Sequence, residues 1–261
     1  EKEIFSRLTS DEKNILGAIS VFREPIPVEA LPKKTTSDSI ESLINRGLAR
    51  RANQDELDVH DLVREFSSRS MDEQIQRDLH KHAAEWYGKQ SMTTGDRIEH
   101  LHHLNMANDL DALAGVLKSH GQDLVKGGHT ELLGILRAID DDGLDPDTQS
   151  MVHELSGEIL LIQGIWDEAE KELDSAASIA KRMKNPRRMS RILSTQADLE
   201  VETALRETTE ARFPEIGIFG EEHGQTNADA DTRLIIDPID ATANFARGIP
   251  IFATLLAIEQ G

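Results

Sequence analysis

Residues 155–182 read LSGEILLIQGIWDEAEKELDSAASIAKR, and small or apolar residues recur through this stretch at helical spacing. Residues three or four positions apart lie on one face of an α-helix, so the recurrence predicts helices with an apolar face. Small residues at Gly157, Ala169 and Ala176 let two helices approach closely, and we expect Trp166 to fill the space between them. The stretch therefore predicts an antiparallel pair of helices.

The same stretch is similar to a tetratricopeptide repeat. The matching positions are Gly157, Leu160, Gly164, Trp166, Ala169, Leu173 and Ala176. The resemblance implies stacked helical hairpins, and looser versions of the pattern extend from about residue 72 to residue 185. Repeats of this kind bury their apolar faces on neighbouring repeats and offer a groove to partners. We therefore expect a protein partner in the helical-repeat groove.

The composition restricts the class of protein. The chain has 261 residues, 38% of them hydrophobic, which suffices for a packed core and suggests roughly two domains. It has no cysteine, so disulfides, thiolate metal ligands and cysteine nucleophiles are excluded. The formal net charge of −19 makes nucleic acid an unfavourable partner. The sequence has neither a long apolar run nor a secretory signal, so we expect no membrane span and a cytoplasmic location.

The first 70 residues predict a helix, a short helix, a helix, a hairpin and a further helix. Within them, LINRGLARRANQDELDVHDLVREF (residues 43–66) resembles the winged-helix segment that follows the nucleotide-binding module in STAND-type signalling ATPases. The ATPase phosphate-binding motif G-x-x-x-x-G-K-[ST] is missing from the sequence, so the resemblance implies a packing module without a nucleotide site. DNA binding is the more specific alternative function. The stretch expected to form the recognition helix, residues 39–46, carries Glu41 and only one arginine, whereas DNA-binding surfaces carry a stripe of basic residues.

Three histidines in the helical region, His100, His102 and His103, have two interpretations. They are close enough in sequence to bind a metal ion. However, thiolates and the H-E-x-x-H pattern are both missing, and His100 and His103 share one helix face. A solvated helix surface is therefore the preferred interpretation, and a metal cluster is the alternative.

The last part of the chain predicts strands that end in carboxylates. Residues 216–219 form a short apolar stretch that leads to Glu221, and residues 234–236 lead to Asp237 and Asp240. The intervening proline keeps the chain extended and exposes the carbonyl of Ile239. Carboxylate and carbonyl oxygens are the ligands that Mg²⁺ prefers. With backbone N–H groups available for an anion, the pattern predicts metal-assisted hydrolysis of a phosphate ester.

These residues carry a second resemblance. The motifs GEEHG (residues 220–224) and LIIDPIDATANFARGIPIFATLLAIEQG (residues 234–261) are similar to the inositol monophosphatase superfamily, in particular its histidinol-phosphatase-like branch. The match runs over about residues 194–261. It implies Mg²⁺ as cofactor and a phosphorylated small molecule as substrate. It implies that the metal ligands are Glu221, Asp237, Asp240 and the carbonyl of Ile239. It implies that the water is activated and oriented by Glu221, Thr242 and Asp198. It implies that the N–H groups of Ala241 and Thr242 donate hydrogen bonds to the phosphate.

The chain departs from the family pattern in two ways. Ala241 stands where the family usually has glycine, which would destabilise the turn if this residue has a positive φ. A second half with a later Trp-Asp metal motif is missing after Gly261, and we give Asp167 of the upstream Trp166-Asp167 pair no ligand role. A helix is expected over residues 197–213. Near residues 185–195 we expect a seam, that is, a junction between two segments that resemble different proteins. We therefore expect an incomplete site with weak or no turnover, as in a fragment or fusion.

The predicted fold class is mostly α, a winged helix plus helical hairpin repeats, followed by a partial α/β layered phosphatase segment. The predicted domains are residues 1–70, 71–190 and 191–261. The predicted function is an Mg-dependent phosphomonoester hydrolase of the histidinol phosphate or inositol phosphate class. The alternative is a non-enzymatic interaction or regulatory module of a STAND-type signalling protein.

Overall fold

The structure is a computed structural model that describes residues 7–33, 35–53, 55–89, 93–241 and 252–260. The chain divides into two compact units, Glu1–Val116 and Leu117–Gly261. The three domain boundaries expected from the sequence remain predictions. Within the described residues, every helix is too short or too polar to span a membrane.

The first unit consists mainly of helices around a small sheet. Its helices are α1 (Ser10–Val21), α2 (Ser37–Asn45), α3 (Asp61–Ser70), α4 (Glu73–Lys89) and α5 (Thr94–Met106). The next helix, α6 (Leu110–Lys126), contains the division between the two units. The strands of the first unit are β1 (Ile26–Pro27), β2 (Arg50–Arg51) and β3 (Glu56–Asp58), and a short 3₁₀ turn covers Val28–Ala30. The strands pair antiparallel in the order β1-β3-β2. The order of elements agrees with the expectation for the first 70 residues, and the winged-helix assignment stays a prediction.

The core of this unit is aliphatic with a few aromatic rings. Leu16, Leu43 and Leu57 have no exposed surface, and Phe22 is 1% exposed. Apolar residues from α1, α2 and β3 thus bury one another, which offsets the conformational entropy lost on folding.

The preferred interpretation of the histidines as a solvated surface is wrong. His103 is fully buried in the first unit, and its ring stacks on Tyr87 with ring centroids 5.6 Å apart. His100 is only partly buried. The two side chains therefore do not share a solvated face, because α5 turns His103 towards α4 and the core.

The second unit contains the helix pair predicted from residues 155–182. Its helices are α7 (Leu132–Arg137), α8 (Pro146–Ile162), α9 (Trp166–Arg182) and α10 (Pro186–Arg212). Ala169 and Ala176 are fully buried, and a Cβ added at Gly157 would lie 2.8 Å from Leu173 Cγ. The role of small residues in the close approach of α8 and α9 is therefore confirmed.

The role predicted for Trp166 is wrong. Its side chain is 40% exposed, and its ring lies 4.7 Å from the ring of His223, centroid to centroid. Trp166 is the first residue of α9, so its side chain lies at the end of the helix pair rather than inside it. Leu173, which is fully buried, fills the interhelical space beside Gly157 instead.

The expected seam lies inside one continuous helix. α10 begins at Pro186, eleven residues before the predicted start, and the Asn185 side chain caps it by accepting the N–H of Arg188 at 3.2 Å. Residues near its start pair with α8, and residues near its end face the sheet described below. The predicted start at residue 197 is wrong because proline at the first helical position favours a helix start further upstream.

A four-stranded sheet follows α10. Its strands are β4 (Gly217–Gly220), β5 (Gly224–Thr226), β6 (Thr232–Asp240) and β7 (Ala253–Gln260), in the order β5-β4-β6-β7. β4 and β6 are parallel, whereas β5 and β7 are antiparallel to their neighbours. The helix α10 packs against β6. The expected fold class, mostly α followed by an α/β segment, is therefore confirmed.

Candidate metal and phosphate site

The parallel pairing of β4 and β6 places the predicted carboxylates at one edge of the sheet. Gly220 lies opposite Ile236, and the N–H of Glu221 donates to the carbonyl of Ile236 at 3.2 Å. Glu221 and Asp237, the next residues of the two strands, are therefore neighbours. Burial, and then the charge of Asp237, raises the pKa of the Glu221 carboxyl.

Asp198 approaches this edge from α10. Its side chain is buried, with 7% of its surface exposed. Burial raises the pKa of Asp198 to about 7, with further contributions from the charges of Glu221 and Asp237. Three of the predicted site residues therefore lie close enough to act on one another, although they come from a helix and two strands.

Glu222 is a fourth acidic residue of the site, and it has no role among those predicted from the sequence. Burial raises the pKa of Glu222 to about 7, and the next contributions come from the charges of Asp198 and Glu221. The available signal was the pair of adjacent glutamates in GEEHG. The sequence alone does not show that the second of them lies between the strand edge and α10.

The turn that carries Glu221 and Glu222 is held by Glu202, a second residue without a role predicted from the sequence. The Glu202 side chain is fully buried, and its carboxylate accepts the N–H of Glu222 at 2.7 Å and the N–H of His223 at 2.9 Å. Arg206, one helical turn further along α10, donates to the same carboxylate at 2.7 Å. A Cβ at Gly220 would collide with the Glu202 carboxylate, so glycine is needed there.

The far side of the turn is also tied to the helices. His223 Nε2 lies 3.0 Å from Thr203 Oγ1 on α10, and the His223 ring contacts Trp166 at the start of α9. Arg206 also donates to the carbonyl of Gly224. The turn is therefore fixed by contacts to α9 and α10 at three consecutive residues.

The remaining predicted residues lie at the end of β6. Asp240 is exposed, and its charge adds to the raised pKa of Glu221. The Ile239 side chain is buried, and the ligand role of its carbonyl stays a prediction. The hydroxyl of Thr254 donates to the carbonyl of Pro238 at 2.7 Å, which ties β7 to this segment. Thr242 lies outside the described residues, so its roles stay predictions.

Ala241, which stands where the family usually has glycine, has a positive φ. Its φ is +63°, in the left-handed region, where a Cβ is crowded by the following carbonyl oxygen. The residue follows β6 directly, so this strain lies beside the carboxylates.

Replacing Ala241 with glycine is therefore expected to raise the free energy of unfolding of the second unit by about 1 kcal/mol, because glycine adopts positive φ without this crowding. Chemical denaturation measures the change. Ala230→Gly is the matched control, since Ala230 is not among the residues with positive φ and glycine there should lower the stability. Equal effects of the two substitutions would contradict the assignment of strain to Ala241.

The donor chemistry of the cluster fits Mg²⁺. Glu221, Asp237 and Asp240 provide carboxylate oxygens, and the neighbouring acids Asp198 and Glu222 add to the negative potential. Burial, and then the charges of the neighbouring acids, raises the pKa values of Asp198 and Glu222. In the described part of the chain, these acids do not bring three ligand oxygens within 4.8 Å of one another.

Comparison with known proteins identifies what this segment is similar to. Residues 159–260 match the family model of the inositol monophosphatase family. A histidinol-phosphatase from Chlorobaculum parvum is 40% identical over 65 residues, which cover 25% of this chain and 25% of that protein. An inositol-1-monophosphatase from Rhizobium meliloti is 40% identical over 67 residues, with 25% of each chain covered. The resemblance predicted from GEEHG and the residues after Leu234 is therefore confirmed.

The extent of these matches is limited. The chain spans about a quarter of the length of the curated relatives that it matches. Among solved structures, a STAND protein with a tetratricopeptide repeat sensor from Pyrococcus horikoshii is similar over 81% of this chain and 40% of its own, with 15% identity and a TM-score of 0.45.

Proposed function

We propose that the edge of β4 and β6 is the metal-binding part of an Mg²⁺-dependent phosphomonoesterase site. The observation that carries this proposal is the parallel register that makes Glu221 and Asp237 neighbours, with Asp198 of α10 facing both. The similarity to histidinol and inositol phosphatases supports the reaction class and a phosphorylated small molecule as substrate.

Glu221, Asp237 and Asp240 would hold the metal, together with the Ile239 carbonyl. The metal would stabilise negative charge on the phosphate and lower the pKa of a bound water. Asp198 is buried beside Glu221, where its carboxyl would accept a proton. The family resemblance further implies that Asp198 supports Thr242 in orienting a water. The N–H groups of Ala241 and Thr242 would donate to a phosphate oxygen, since backbone donors at such a turn attract anions.

The test is the effect of Mg²⁺ on the thermal unfolding midpoint of the chain. A ligand that binds only the folded state, at a hundredfold excess over its dissociation constant, stabilises by about 2.7 kcal/mol. We expect Mg²⁺ to raise the midpoint of the wild-type chain by several degrees and to have little effect on Asp237→Asn. Asp229→Asn is the matched control, because Asp229 is an exposed acid in the loop before β6. An equal Mg²⁺ response in wild type and Asp237→Asn would contradict the proposal.

Turnover is tested separately with histidinol phosphate and inositol monophosphate as substrates. We propose weak or no phosphate release by this chain, because its similarity to the phosphatases covers about a quarter of their length. Release at the rate of a complete relative would contradict that part of the proposal. If phosphate release is measurable, Asp198→Asn should lower it, since the substitution removes a proton acceptor and keeps the shape of the side chain.

A partner protein in the groove of the helical repeats stays a prediction. So does the regulatory role in a STAND-type protein. The surface between α9 and α10 is partly apolar, with the Leu193 side chain 46% exposed, which supports a contact of this kind. The cytoplasmic location also stays a prediction.

A further inference from the structure

The first unit contains a group of three histidines on two adjacent helices. His80 lies on α4, and His102 and His103 lie on α5. One ring nitrogen from each residue lies within 4.8 Å of the other two. The closest pair, the Nδ1 atoms of His80 and His103, is 2.9 Å apart. Among the described residues, this is the one group of three histidines or acids that is so compact.

The hydrogen bonding of the group is incomplete. His103 has no exposed surface and His80 is 7% exposed. The Nε2 atom of His103 is buried without a hydrogen-bond partner. Phe22 and Tyr87 cover the His103 ring with ring centroids 5.3 and 5.6 Å away. A buried polar atom without a partner destabilises the fold. Nε2 is the other ring nitrogen of His103, so the atoms that could hold an ion together are the Nδ1 atoms of His80 and His103.

We propose that His80, His102 and His103 form a binding site for a divalent transition metal ion such as Zn²⁺. Imidazole nitrogens suit Zn²⁺, Co²⁺, Ni²⁺ and Cu²⁺, whereas Mg²⁺ and Ca²⁺ prefer oxygen. A tetrahedral Zn²⁺ with bonds of about 2.0–2.1 Å holds its nitrogen ligands about 3.4 Å apart. The Nδ1 atoms of His80 and His103 would therefore separate by about 0.5 Å and exchange their mutual hydrogen bond, with its proton, for bonds to the metal.

The surroundings of the group permit a cation. Arg23 is the nearby positive charge, and it is neutralised by an ion pair with Glu99 at 2.5 Å. His102 is only partly buried, so an ion can reach the group past its side chain. Three protein ligands leave a fourth position for water.

The test uses the whole chain, stripped of metal with a chelator and titrated with Co²⁺ in excess Mg²⁺. Mg²⁺ occupies oxygen-ligand sites, so the visible absorption of Co²⁺ reports nitrogen coordination. We expect one equivalent to bind, and we expect His102→Gln to weaken the affinity about tenfold or more. His100→Asn is the matched control, because it removes a histidine of the same helix that is not in the group.

The partial exposure of His102 makes His102→Gln a mild change for the fold, and circular dichroism checks it. The thermal unfolding midpoint of the first unit is a second measurement. Zn²⁺ should raise this midpoint in the wild-type chain and leave the midpoint of His102→Gln unchanged. Absence of Co²⁺ uptake, or equal uptake by wild type and His102→Gln, would overturn the proposal. Asp237→Asn should bind Co²⁺ like the wild type, so this test fails or succeeds independently of the proposed phosphatase site.

Discussion

Replacing Glu202 with glutamine should lower the free energy of unfolding of the second unit by about 3–5 kcal/mol, because removing one partner of a buried ion pair leaves the other charge unpaired. Glu202 is fully buried, and only 8% of the Arg206 side chain is exposed. The Glu202 carboxylate also accepts the N–H groups of Glu222 and His223. A glutamine offers one acceptor oxygen where the carboxylate offers two, so at least one of these contacts is lost.

Denaturant unfolding of wild type, Glu202→Gln and Glu207→Gln measures this effect. Glu207 is an exposed glutamate on the same helix, so its substitution should change the stability by less than about 0.5 kcal/mol. Glu202→Gln should also weaken the Mg²⁺-dependent shift of the midpoint, because the turn that it holds carries Glu221. A loss of stability no larger than that of Glu207→Gln would show that the pair does not hold the turn.

The sequence was sufficient to predict the carboxylate edge. Strands that each end in acids, at the same end of a parallel pair, must bring those acids together, and the register of Gly220 with Ile236 does so. The positive φ of Ala241 was also foreseeable, because glycine is the residue usually favoured at such a position. Both inferences depend on short segments and on local backbone rules.

The parts that could not be predicted depend on contacts between distant segments. A Glu-x-x-x-Arg spacing is common on exposed helix surfaces, so the Glu202–Arg206 pair does not show from sequence that it is buried. His80 and His103 are 23 residues apart, and helical periodicity does not show which faces of α4 and α5 meet. Trp166 lies at a position that matches the tetratricopeptide pattern. It is the first residue of α9, however, and its ring contacts the ring of His223 rather than the space between the helices.

The second large effect is expected at Glu154, on α8. Its side chain is 1% exposed, Arg188 donates to it at 2.8 Å, and Arg191 donates to it through two nitrogens. Both arginines lie near the start of α10. Replacing Glu154 with glutamine should therefore lower the free energy of unfolding by about 3–5 kcal/mol, because it leaves Arg188 with a buried charge that Asp147 alone balances.

Glu168→Gln is the matched control for Glu154→Gln. Glu168 also pairs with an arginine of another helix, Arg137, but about half of each side chain is exposed. Loss of an exposed pair costs about 0.2–1 kcal/mol, so the two substitutions differ mainly through burial. Chemical denaturation of the three proteins gives both values, and similar losses would mean that burial does not determine the contribution of Glu154.

The arginines distinguish the anchoring of α10 from a general effect of charge. Arg188 is 10% exposed and Arg191 is 47% exposed, although both contact the same carboxylate. Arg188→Met should therefore destabilise more than Arg191→Met. The double variant Glu154→Leu/Arg188→Met should recover part of the loss, because apolar residues of similar volume need no charged partner.

Since α10 also carries Asp198 and Glu202, its attachment to α8 fixes the helix that faces the carboxylate edge. A change in the Mg²⁺ response of Glu154→Gln under conditions where it remains folded would show that this attachment extends to the site.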